Sequence, residues 1–124
     1  MFTLRIEIPA LPPSVNRYVR QGKGHTYLTK ESKEFMKLAS TLAREQARSL
    51  NWEIIPATNF FPMWIFFEMK HRRFPDPNNL LKVLIDAMEG IIFENDKWVC
   101  PIVRAEITGR FHTTVEFQEW RGKD

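Results

Sequence analysis

Residues 63–69, MWIFFEM, carry six bulky apolar side chains and one glutamate. A run this short cannot cross a membrane, and its near-continuous hydrophobicity reads as a strand buried on both faces or lying at a subunit interface. The rest of the chain has to be arranged around it. Residues 2–8 set Phe2, Leu4, Ile6 and Ile8 against Thr3, Arg5 and Glu7, the period-two pattern of a half-buried strand that stops at Pro9. From Thr29 onward Phe35, Leu38, Ala39, Leu42, Ala43, Ala47 and Leu50 recur at helical spacing, with Thr29 as N-cap and Glu31 in the first turn. A second helix spans 79–89, turns Leu80, Leu81, Leu84, Ile85 and Met88 to the core and ends at Gly90. Two strands, 98–108 and 110–119, follow, joined tightly around Gly109. The expected fold is α+β, a small mixed or antiparallel sheet with two main helices packed on it, in a single domain over residues 1–124.

At 124 residues, 44% of them hydrophobic, the chain can bury a core without disulfides or a structural metal. Its only thiol, Cys100, has no partner and no CxxC spacing, which excludes a disulfide framework and a cysteine zinc site and suits a reducing cytoplasm. The start, MFTLRIEIP, alternates like a strand and lacks the apolar run of a signal peptide, and no stretch approaches membrane-span length. We therefore expect a cytoplasmic protein with no membrane association. Net charge is only +3, but it is segregated. Arg17, Arg20, Lys23, Lys30 and Lys33 make the early region basic, KHRR at 70–73 forms a second basic cluster, and Asp86, Glu89, Glu94 and Asp96 form an acidic segment. A polyanion could meet the first two while a cation sits near the third.

Between the first strand and the first helix, PALPPSVNRYVRQGKGHTYLT at 9–29 holds three prolines and two glycines and reads as a long irregular segment. In FPDPNNLLKVLIDAMEGIIFENDKWV, residues 74–99, Asp76 and Asn78 lie two apart in a proline-restricted stretch, so their oxygens can point the same way. Lys82 follows one turn into the helix, on the side that carries Asp86, and the chain beyond Gly90 can return Asn95 and Asp96 toward the start of the helix. Hard oxygens of this kind suit Mg²⁺ or Mn²⁺, and the lysine could neutralise a phosphate oxygen. Taken one at a time the residues have plainer roles. Asp76 or Asn78 caps the helix, Lys82 pairs with Asp86, and Glu94-Asn95-Asp96 is a polar turn.

PPSVNRY at 12–18, DPNNLLKVLIDAMEG at 76–90 and NDKWV at 95–99 together resemble the RusA family of Holliday junction resolvases, cytoplasmic endonucleases often encoded by prophages. The resemblance runs from the first strand to about residue 106. It implies that Asp76, Asn78 and Asp96 are the metal-binding and catalytic positions, that Lys82 is the essential lysine, and that the cofactor is Mg²⁺, with Mn²⁺ as a substitute. Asn78 stands where the family usually has aspartate, and Asn95 replaces the first of a pair of acids, so the ion is held by two carboxylates instead of three. Further implications are a homodimer and paired, symmetric nicks in four-way DNA junctions during recombination and repair. Asn16, Arg17, Arg20, Lys23, His71, Arg72 and Arg73 would contact DNA phosphates. The two acid-to-amide changes leave a cleavage-impaired junction-binding protein of the same fold as the alternative.

The three histidines, His25, His71 and His112, show no metal-binding spacing and read as surface or phosphate-contacting groups, His71 being the best placed for DNA. Trp64, Phe66 and Phe67 read as core or dimer interface, while Tyr18 and Tyr27 lie in the basic segment where stacking on a base is conceivable. No glycine-rich phosphate loop, Ser-His-Asp order or nucleophilic cysteine setting occurs.

Overall fold

A computed structural model describes residues 3–17, 19–22 and 25–119, and the side chains of 3–16 and 28–119. Six strands are present among them: β1 (Thr3–Ile8), β2 (Val19–Gly22), β3 (His25–Leu28), β4 (Phe61–Met69), β5 (Val99–Ile107) and β6 (His112–Gln118). Two α-helices, α1 (Lys30–Ser49) and α2 (Leu81–Met88), complete the α+β fold. The main sheet has the order β1-β6-β4-β5. β4 pairs antiparallel with β6 and parallel with β5, and β6 pairs antiparallel with β1, so the sheet is mixed.

The apolar run at 63–69 takes an interior position in the sheet, as so hydrophobic a strand must. Its two faces are covered unequally. Met63, Ile65, Phe67 and Met69 are fully buried in the core beneath the helices, whereas Trp64 and Phe66 on the opposite face are half-buried. Glu68 is buried on that face because Arg110 grips both its carboxylate oxygens, at 3.0 and 2.9 Å, and the Thr108 hydroxyl donates a third bond. The Arg110 guanidinium holds the Glu68 carboxyl below the usual carboxylate range.

Helix α1 begins where the spacing predicts. Thr29 Oγ1 accepts the Ser32 N–H at 3.2 Å, and Phe35, Ala39 and Ala43 are buried. Leu38, expected in the core, lies on the flank of the helix at 36% exposure. The helix stops because Asn51 adopts φ 54°, a left-handed conformation that asparagine tolerates. Asn51 N–H then donates to Arg48 and Trp52 N–H to Ala47, closing the last turn.

Two expectations change. The segment 9–29 is not irregular throughout: after a 3₁₀ turn at Val15–Arg17 it forms the antiparallel hairpin β2–β3. Gly22, read as a loop marker, is instead a strand residue that pairs with His25. The prolines that suggested an irregular course are confined to positions 9–13. Secondly, the strands joined around Gly109 are not neighbours, because β4 lies between them. Thr108 and Gly109 both donate their N–H groups to the Met69 carbonyl, at 2.9 and 3.2 Å, so the link passes across the end of β4. Gly109 has φ 99°, where any side chain would be strained.

His112 also departs from its expected surface role. It is buried on β6, and its Nε2 lies 2.8 Å from Glu7 Oε1, which also accepts from Thr114 Oγ1 at 3.2 Å. Arg5 Nε donates to Glu7 Oε2 at 2.8 Å. These bonds, that from His112 first, lower the Glu7 pKa from 4.5 to about 2. A carboxyl depressed by folding adds stability that is complete above its unfolded pKa, about 4.5, and is lost as the pH falls toward about 2. We therefore expect Glu7→Gln to lower the melting temperature at neutral pH and to shrink the loss of stability between pH 4.5 and 2. Melting curves of both proteins across that range check this, and parallel declines would remove Glu7 as the source.

Candidate metal centre

Pro77–Leu80 form a 3₁₀ turn that leads directly into α2, and Leu80, Val83, Leu84, Ala87 and Met88 are buried against the core. That inward stripe leaves Lys82, Asp86 and Glu89, spaced i, i+4 and i+7, along the outer side of the helix. Lys82 Nζ lies 3.3 Å from the Asp86 carboxylate. The chain then reverses at Gly90, which has φ 85°, and Gly90 N–H donates to the Phe93 carbonyl at 2.7 Å. This reversal brings Asp96 to the end of the helix, not to its start as the sequence suggested, because the turn at Gly90 closes within a few residues; there its N–H donates to Glu89 Oε2 at 2.8 Å.

The consequence is a cluster of three acids. Asp86, Glu89 and Asp96 each offer a carboxylate oxygen within 4.8 Å of the other two, and none of the three is buried. Two like charges at that separation repel by roughly 1 kcal/mol in water and about 3 kcal/mol at an effective dielectric of 20. A divalent cation among them reverses the sign of the interaction, and an all-oxygen donor set is what Mg²⁺ or Mn²⁺ takes. The residues present thus fit such an ion.

Asp76 is not one of this trio. It caps the 3₁₀ turn, its Oδ1 accepting the Asn78 N–H at 3.0 Å, and it stands with exposed Asn78 at the start of the helical segment whose far end holds Asp96. Asn95 Oδ1 accepts the Lys97 N–H at 2.8 Å and caps a second 3₁₀ turn, Asp96–Trp98. The plainer roles foreseen for Asp76 as a cap and for Lys82 as the partner of Asp86 are both present. In the sequence Asp86 stands out as the partner of Lys82 and, with Glu89, as part of an acidic segment, but neither stands out as a metal ligand. Their i, i+3 spacing on the face that carries Lys82 was the available signal.

Lys70, His71, Arg72 and Arg73 are all exposed and occupy the link between β4 and Asp76. The backbone N–H of Arg73 donates to His71 Nδ1 at 3.2 Å, and the His71 ring meets Phe111 edge-on at 5.5 Å. Asn16 is exposed on its 3₁₀ turn. Lys23 and Tyr18 lie outside the described residues, as do the side chains of Arg17, Arg20, His25 and Tyr27. On the other flank of the acids, Lys37, Ser40 and Arg44 of α1 line a groove of about 380 Å³ together with Asp86 and Glu89.

Fold and site together define a small α+β protein with clustered carboxylates, a lysine in contact with them and an exposed basic loop leading into the same helix. The chain belongs to the RusA family: the family model described as endodeoxyribonuclease RusA matches residues 9–118. That span contains every residue of the site above. The family's activity is the resolution of Holliday junctions by metal-dependent DNA cleavage. No curated protein matches the chain. No helix among the described residues is long and apolar enough to cross a membrane.

Proposed function

We propose that the protein is a Mg²⁺-dependent, structure-selective endodeoxyribonuclease that resolves four-way junctions by paired symmetric nicks, working as a homodimer in the cytoplasm during recombination and repair. A single domain over residues 1–124 carries the activity. The observation that supports this most strongly is the approach of Asp86, Glu89 and Asp96 to within 4.8 Å beside Lys82, inside the span that matches the family. Asp96 is the proposed ligand shared by the motif and the acid cluster, with Asp86 and Glu89 beside it; Asp76 and Asn78, at the other end of the helix, are the motif's remaining proposed ligands. Mg²⁺, or Mn²⁺ in its place, supplies Lewis acidity at a phosphoryl oxygen and activates water for attack on phosphorus.

The remaining work falls to the chain. Glu89 holds the Asp96 backbone through its carboxylate and so fixes the acid that arrives from the far side of the turn. Asp86 restrains the Lys82 ammonium, a point charge for the developing charge on the scissile phosphate. Lys70, Arg72, Arg73 and His71, with Asn16, Arg17, Arg20 and Lys23, hold the flanking phosphates and set the position of the DNA.

Asn78→Asp is expected to tighten Mg²⁺ binding, raise cleavage and lower the melting temperature in chelator. The last effect follows because two carboxylates ~4 Å apart repel by about 4 kcal/mol at an effective dielectric of 20. Unchanged affinity and rate in a metal titration would take Asn78 out of the ligand set. The function as a whole is tested by incubating the protein with labelled four-way junction and matched linear duplex, in Mg²⁺, Mn²⁺ or chelator. Nicks confined to the junction and dependent on metal are expected. The amides at Asn78 and Asn95 favour one second reading, a cleavage-impaired junction-binding protein, and binding without nicking in any metal selects it.

A further inference from the structure

β5 is an outer strand of the main sheet, nine residues long, and nothing pairs with its free side among the described residues. Such an edge is a template for another strand, and proteins normally blunt it with charge, proline or a covering element. Here Ile102 and Ile107 are 49% and 51% exposed, and Pro101 blunts only the beginning. The proline also shows which groups are free. A proline within a strand must turn its nitrogen away from the ladder, so the odd-numbered residues face the open edge. Thr108 N–H, of even parity, accordingly donates to Met69 on β4. Val103, Ala105 and Ile107 therefore present unpaired N–H and C=O groups outward.

We propose that this edge pairs antiparallel with β5 of a second copy about a two-fold axis through Ala105, giving a continuous eight-stranded sheet. The proposal deepens the homodimer reading above and rests on it only for the existence of a dimer. The register follows from charge. Arg104 and Glu106 are exposed on the outer face of the sheet, where Arg104 also lies over the Phe66 ring at 4.1 Å. With the axis at Ala105, each Arg104 stands directly opposite Glu106 of the other copy, twice over. Moving the axis by one residue puts Arg104 against Arg104, or Glu106 against Glu106, and like charges directly opposite are unfavourable. On the core face the same register sets Ile107 against Val103, extending the apolar layer across the axis. Pro101 falls opposite Gly109, beyond the end of the strand, so its missing N–H costs no bond.

This arrangement also suits a branched substrate. A two-fold axis perpendicular to a continuous sheet keeps both helical layers on one side. Met69 pairs with Ile107, and the Ile107 residues of the two copies are four positions apart in register, about 13 Å along the strands. The two basic loops that begin at Lys70 thus flank the axis.

The test is sedimentation equilibrium of the full chain, with circular dichroism to confirm folding. Wild type should be dimeric, Arg104→Glu and Glu106→Arg should each weaken the dimer roughly tenfold to hundredfold, and the double exchange should restore it. Independently, Ala105→Cys in a Cys100→Ser background should give a covalent dimer in oxidised glutathione, since opposed residues on the axis are within disulfide reach, whereas Val103→Cys should not. A dimer indifferent to the charge exchanges and not trapped covalently by the Ala105→Cys substitution overturns this interface while leaving the homodimer intact. A monomeric wild type overturns both.

Discussion

Asp96→Asn is expected to cut junction cleavage by roughly 10³-fold while leaving junction binding in chelator unchanged, the factor corresponding to the several kcal/mol that a bound cation contributes to phosphoryl chemistry. Asparagine keeps the backbone N–H that Glu89 accepts, so the turn stays in place and only the charge is lost. Glu89→Gln works the same way from the other side, retaining an oxygen for the Asp96 N–H but removing a negative charge from the cluster. Both variants, and Asp86→Asn, should weaken Mn²⁺ binding measured by titration calorimetry. Asp76→Asn separates the two ends of the helix. Loss of cleavage together with loss of Mn²⁺ affinity places Asp76 among the ligands, whereas loss of cleavage with affinity intact assigns it to substrate. If Asp86, Glu89 and Asp96 can each be neutralised without loss of metal affinity, the acid cluster is not the metal centre.

Affinity for a four-way junction is expected to fall ~10³ to 10⁵-fold between 50 and 200 mM salt, the response of a surface that neutralises about six to ten phosphates. The exposed loop supplies Lys70, Arg72 and Arg73 in each subunit, and a dimer doubles that number. Fluorescence anisotropy over a salt series measures the slope. Arg72→Ala with Arg73→Ala should reduce it by about 2 per subunit without altering the metal titration. A flat response would show that these side chains do not face the DNA.

Much of the fold was legible because it rests on period. The alternation of 2–8, the helical spacing from Thr29 and the bracketing of α2 by Pro77 and Gly90 are each local, and each recurs in the structure within a residue or two. Sheet order was not legible. A tight glycine turn looks the same whether its strands pair with each other or admit a third between them, and only the burial of β4 decides that β5 and β6 are kept apart. The site divides along the same line. Lys82 and Asp86 meet through helix geometry and could be read directly, but the meeting of Glu89 and Asp96 depends on the reversal at Gly90, which spacing alone does not locate. His112 illustrates the opposite error. Its partner, Glu7, is 105 positions away in the chain, so an ordinary-looking histidine gave no sign that it was buried.

The parallel ladder between β4 and β5 joins Phe61 to Val99 and Met69 to Ile107. All of the acid cluster lies in the crossover between those two strands, so the strand ends clamp that segment at both its entrance and its exit. The crossover must span the distance from the end of β4 to the start of β5 for the ladder to keep this register. The outer rim of the sheet and the carboxylate cluster are thus joined by one stretch of chain, and a change in the length of the crossover would be felt by both.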